Sequence, residues 1–170
     1  MLYMKCSKEI RTRIARAKGF NKKKKLLCGP LRKELKKRLG KCYVWSVTLY
    51  GAETWTLRKE DEKRIEALEM WIWRKMEGVQ WSDRVQNEEV LRRIGERREM
   101  LATIRKRKKN WIGHCLRRDS IVKDCIEGMV NGRRKRGRRR CQLLDNIKTD
   151  GEYNVTKRLA EDREGWRNSA

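Results

Sequence analysis

Residues 42–76 read CYVWSVTLYGAETWTLRKEDEKRIEALEMWIWRKM, and the reading of this stretch decides the fold. In its second half Ile65, Leu68, Ile72 and Met76 recur at spacings of three and four, which traces one face of an α-helix. Trp71 and Trp73 widen that face, and rings of this size dominate the energetics of a core. Its first part, residues 42–52, is the longest stretch without a charge. No other part of the chain concentrates so much apolar area, so the folding core is expected here.

Upstream, Gly29-Pro30 is a suitable helix start, because proline fits the first turn. Leu31, Leu35, Leu39, Cys42, Ser46 and Leu49 follow at helical spacing. The early turns expose Arg32, Lys33, Lys36 and Lys37, whereas the later turns are apolar all round and are expected to be buried. The β-branched composition of residues 44–48 also fits a strand; the longer periodicity favours helix. Gly51 can end it. Nearer the N-terminus, Ser7 is a candidate N-cap. Ile10, Ile14 and Ala17 form a stripe, and Phe20 and Leu27 form another. Phe20 is six residues from Ile14, out of phase at 100° per residue, so a break is expected near Gly19.

Downstream, Gly78 closes the Trp-bearing helix, with Ser82 or Asp83 as cap candidates in the following loop. Asn87 is expected to cap a short helix through Ile94. A longer helix carries Leu101, Ile104, Trp111 and Cys115 on one side, with Met100, Ile112 and Leu116 nearby. Arg105, Lys106, Arg107, Lys108 and Lys109 make it basic nearly all round. Asp119 or Ser120 caps another short helix ending at Gly128. Asn131-Gly132 signals a turn. Residues 141–148 and 155–166 read as two last helices, with Val155, Leu159 and Trp166 on one face. The prediction is an all-α protein without internal repeats.

A chain of 170 residues makes one ordinary domain or two small ones. Charged residues are 41% of it, against roughly 25% in average proteins, so much of the surface must be ionic. The net charge of +24 points to a polyanionic partner, nucleic acid before an anionic membrane. Residues 1–52 hold 16 Lys and Arg against 2 acids, and residues 97–148 hold 18 against 5. Residues 53–96 hold 9 against 11, together with four of the seven Trp. Two basic arms therefore flank an electrically quiet centre. The start lacks the apolar run of a secretory signal. Residues 42–52 are too short for a bilayer, which takes ~20 residues. The six Cys show no C-x-x-C spacing and read as reduced thiols of a cytosolic or nuclear protein.

Several strings together carry a resemblance. They are CYVWSV at 42–47, LYGAETWTL at 49–57, EMW at 69–71, DRVQNEEVL at 83–91, WIGHCLRR at 111–118, and GRRKRGRRR at 132–140 leading to Leu144 and Asp145. The chain resembles the C-terminal portion of reverse transcriptases from non-LTR, LINE-type retrotransposons, in the branch with an apurinic-like endonuclease at its N-terminus. The likeness runs from Cys6 to about Trp166. It implies a thumb, a three-helix bundle against the template–primer duplex, with helices near residues 8–27, 31–50 and 58–76. A basic nucleic-acid-binding region would follow, partly disordered when alone. The implied division is 1–80 and 81–170. Members of the family carry a palm with a metal-binding Tyr-x-Asp-Asp upstream. Tyr3, Tyr43, Tyr50 and Tyr153 are not followed by such a pair. The chain also departs from the pattern. It is one residue shorter near Gly19, it lacks a proline in the arginine run, and its tail stops early. These departures imply an isolated or decayed fragment.

Polymerase chemistry needs grouped carboxylates to hold two metal ions. The acids here, such as Glu60, Asp61 and Glu62, fall on solvated helix faces, so no catalytic residue and no cofactor are expected. Glu53, between an apolar run and Trp55, is expected to have a structural partner. His114, Cys115, Cys125 and Cys141 invite a zinc reading, but their spacing does not match structural sites, and a packed helix face is preferred. Trp71 and Trp73 could stack bases; their spacing favours core. The basic runs point to phosphate binding, because guanidinium forks suit phosphate oxygens. The expected contact residues are Lys22, Lys23, Lys24, Lys25, Lys36, Lys37, Arg105, Lys106, Lys108, Lys109, Arg133, Arg134, Lys135, Arg136, Arg138, Arg139 and Arg140. The arginine run can also act as a nuclear localisation signal. The reading is sequence-tolerant binding of RNA, DNA or their hybrid. Alternatives are a piece of an active RNA-directed DNA polymerase, partnered by its palm, and a small structural protein of a ribonucleoprotein.

Overall fold

The computed structural model describes residues 2–24, 27–127, 143–146 and 153–168. Its α-helices are α1 (Leu2–Lys24), α2 (Lys33–Leu39), α3 (Ser46–Leu49), α4 (Lys59–Glu77), α5 (Asn87–Ile94), α6 (Met100–Leu116), α7 (Ile121–Glu127), α8 (Tyr153–Glu161) and α9 (Arg163–Asn168). Among the described residues there is no strand, so the fold is all-α, and residues 44–48 are helical. The chain forms two compact units, one of residues 1–52 with 57–103, the other of residues 53–56 with 104–170. A boundary at residue 80 does not coincide with this division. Residues 81–103 stay with the first unit because α5 packs on α4 and because Glu69 of α4 holds the first turn of α6.

In the first unit α1 packs against residues 40–49 and against α4. Ile10, Ala17, Leu27, Leu49, Ile65, Leu68, Ile72 and Trp73 are all buried. Each such aliphatic side chain contributes about 1.5–3 kcal/mol on leaving water. The α4 periodicity is borne out at Ile65, Leu68, Ile72 and Met76. Gly78 ends the helix in the left-handed conformation, at φ 70°.

Local readings needed correction. Helix α1 runs unbroken through Gly19. Gly19 is exposed and nothing lies near it, so no packing partner forces a change of phase there. The irregularity lies in the next segment, where residues Gly40–Trp45 form a π-helical turn between α2 and α3. Such a turn closes i→i+5 hydrogen bonds and absorbs an extra residue. The inward face is therefore Gly40, Val44, Trp45, Thr48 and Leu49, while Leu31, Leu35, Cys42 and Ser46 of the expected stripe are exposed. A Cβ on Gly40 would touch Ile72 and Leu27, each at 3.6 Å, so the bare backbone brings this segment close to α4. Ser7 lies inside α1 instead of capping it, and its hydroxyl donates to buried Asp61 Oδ2 at 2.8 Å. Asn87 begins α5 without capping it; its Oδ1 accepts from Arg74 at 2.9 Å.

In the second unit Ile112, Leu116, Leu144, Ala160 and Trp166 form the core, with Trp111 and Tyr153 packed around it. The indole of Trp166 lies against Gly113, where any Cβ would collide with the ring. Its Nε1 donates to Lys109 O at 3.2 Å. Val155 and Leu159 do not share this burial. The helix is interrupted at Asp162, whose carbonyl accepts from Trp166 N at 2.9 Å, and the interruption re-phases Trp166 relative to α8.

Candidate nucleic-acid interface

The five consecutive bases of α6 do not share one environment. Ile104, Lys108 and Ile112 lie four residues apart on one helix face, and all three are buried. Lys108 is 1% exposed, and its ammonium donates to Trp55 O at 2.8 Å within the second unit. A buried ammonium needs such acceptors, so Lys108 is an internal group and does not belong to the outer surface. Arg105, Lys106 and Arg107 face outward. Lys109 is half-buried, with Nζ 5.2 Å from the centre of the Trp166 ring. Burial lowers its pKa from the usual lysine value. Its charge lies over an indole face that favours cations.

In the first unit the outer side of α1 exposes Lys8, Arg11, Arg16 and Lys18. Lys33 and Lys37 of α2 are drawn into ion pairs. Lys37 is half-buried and bonds Glu34 at 2.8 Å, holding that carboxyl below its ordinary pKa. Lys33 pairs with Glu77 at 2.8 Å and donates to Arg93 O. Lys41 pairs with Glu96 at 2.8 Å. Lys36 is half-buried. Lys33 ties α2 to α4 and to the end of α5, Lys41 ties the π turn to Glu96 beyond α5, and Lys37, paired within α2, offers little free surface to a phosphate. Lys25, Arg133, Arg134, Lys135, Arg136, Arg138, Arg139 and Arg140 lie outside the described residues, as do the side chains of Lys22, Lys23 and Lys24 on α1.

Among the described residues of the second unit, the candidate zinc ligands are not brought together. His114 and Cys125 are exposed, whereas Cys115 is buried and burial pushes its thiol pKa up. Cys141 lies outside the described residues. No group of three His, Cys, Asp or Glu converges on a metal-sized site among the described residues. No described helix is long and apolar enough to cross a membrane.

Two side chains outside the expected contact set stand out. Arg107 is exposed beside Lys106; its place in the basic run was signal enough to find it. Trp81 is 95% exposed on a short 3-10 turn (Trp81–Asp83), although tryptophan is usually well buried. Its position in a loop after Gly78, outside any apolar stripe, was the available signal. Trp73 is fully buried, as its helical spacing predicts, while Trp71 is only half-buried.

Comparisons with family models, with curated proteins and with solved structures returned no match.

Proposed function

We propose that this chain binds RNA, DNA or their hybrid through the phosphate backbone, with little dependence on sequence. We read it as the thumb and post-thumb part of a non-LTR retrotransposon reverse transcriptase, the family its motifs resemble. It would grip nucleic acid without performing the polymerase reaction. The observation that supports this most is the exposure of Arg105, Lys106 and Arg107, which fan over the outer side of α6 while Ile104 and Ile112 on its other side are core. The outward bases of α1 and the net charge of +24 act in the same direction. The arginine run at residues 133–140 adds seven more cations.

Phosphate contacts release counterions, so affinity falls with salt by a log–log slope of roughly 0.7–0.9 per phosphate neutralised. Replacing Arg105, Lys106 and Arg107 together by Ala is expected to reduce that slope by about two to three units, as is replacing Arg138, Arg139 and Arg140. Affinity should fall alike on two unrelated duplexes, because phosphate contacts carry no base information. Fluorescence anisotropy at several salt concentrations measures both. A wild-type slope in both triple variants would refute the assignment.

A further inference from the structure

We propose that the groove beneath Trp81 in the first unit is a stacking site for an unpaired base of a single-stranded nucleic acid. The proposal rests on the nucleic-acid reading above and assigns that reading a second, chemically different site. Trp71, Arg74, Lys75, Trp81 and Arg84, with the loop residues around them, line an open groove of about 890 Å³. None of its lining residues is acidic. The neighbouring carboxylate, Asp83, turns back on its own loop, with Oδ2 accepting from Gln80 N at 2.8 Å.

The groove is held in shape by bonds that leave Trp81 exposed. The Arg74 guanidinium donates to Val85 O at 2.6 Å and to Asn87 Oδ1 at 2.9 Å, tying the end of the loop to α4. Trp71 has Lys18 Nζ over its ring at 5.5 Å. Arg84 has φ 49°, the one positive φ outside glycine among the described residues. An L-residue with a long side chain adopts that conformation at a cost, and such strain gathers at binding sites. Here it places an exposed cation on the groove that carries the two indoles.

An almost fully exposed indole on a bonded turn, a second indole in the same groove, and the exposed cations Lys75 and Arg84 without a lining acid suit one ligand chemistry. Bases stack on aromatic faces, and the intervening phosphates are neutralised by Lys and Arg. A duplex hides its base faces in its own stack, so the site discriminates in favour of unpaired strands. An acidic protein segment would use the cations alone and make no demand on Trp81.

The test uses the full chain and three labelled probes of equal length: oligo(dT), a mixed-sequence duplex, and a strand of abasic residues. Trp81→Ala is expected to weaken oligo(dT) binding roughly five- to hundred-fold, the range of one aromatic stack. It should leave the other two affinities and every salt slope unchanged. Trp81→Phe should restore most of the loss. The thermal midpoint should not move, since Trp81 packs against little. Arg84→Gly should lower the oligo(dT) salt slope by about 0.7 without lowering the midpoint. An oligo(dT) affinity unaffected by Trp81→Ala, or an equal loss on all three probes, overturns the stacking site while duplex binding by the wild type upholds the broader reading. Binding of no probe by the wild type removes both.

Discussion

Replacement of Glu69 probes how the first unit holds the first turn of α6. Glu69 is 1% exposed on α4, and its Oε1 accepts from Glu99 N at 2.9 Å and Met100 N at 3.2 Å. Its second oxygen lies 3.3 Å from Met100 N. A carboxylate there supplies the acceptors that the opening N–H groups of a helix lack and faces the positive end of the helix dipole. In Glu69→Ala, Met100 is fully buried and its N–H loses its acceptor, whereas Glu99 is exposed and water can reach it. An orphaned buried donor costs about 1–3 kcal/mol and a replaceable bond about 1 kcal/mol. The expected loss is therefore about 2–4 kcal/mol, read from urea unfolding followed by Trp emission. Glu69→Gln keeps an acceptor and should lose about 1 kcal/mol or less.

The pH dependence gives a second, independent readout. Burial raises the Glu69 pKa above 4.5, outweighing the two backbone donors that lower it. The folded protein then holds this proton more tightly than the unfolded chain does. The contribution is fully present below the ordinary carboxylate value and is lost as pH rises through the raised folded value. Glu69→Gln should flatten that segment of the stability profile. A loss under about 0.5 kcal/mol in Glu69→Ala, well below the cost of one orphaned donor, would refute the assignment, as would an unchanged pH profile in Glu69→Gln.

Three further variants test the same reasoning. Lys108→Ala should destabilise the second unit by about 2–4 kcal/mol, through a truncated buried stem and an orphaned Trp55 carbonyl. The DNA salt slope of the refolded variant should match wild type, whereas Lys106→Ala should lower it by about 0.9. Gly19→Ala should raise the thermal midpoint, because Gly19 lies inside a continuous helix with open space at its Cβ position. The gain should be about 0.5–1 kcal/mol. A fall in the midpoint would restore the case for a break in α1.

Sequence alone determined the class of the fold and the strongest helix. The spacing of Ile65, Leu68, Ile72 and Met76 fixes the inner face of α4, because the 3.6-residue period is a local property of the backbone. The left-handed glycines at Gly51 and Gly78 are equally local, since only glycine reaches that conformation freely. The basic charge was a matter of counting. Phase could also have placed Lys108 inward, at four residues from both Ile104 and Ile112, but the run of bases around it masked the signal. Other features needed the folded chain. The π turn at residues Gly40–Trp45 sets the backbone of Gly40 beside Leu27 and Ile72, neighbours that no local pattern encodes. Glu69 as a cap for a turn thirty residues away, Ser7 as a partner of Asp61, and Arg74 as the clamp on Val85 and Asn87 all pair side chains across loops. The exposure of Trp81 belongs with them. An indole has the same apolar area wherever it stands in a sequence, and only the path of the backbone after Gly78 decides whether that area meets a core or water.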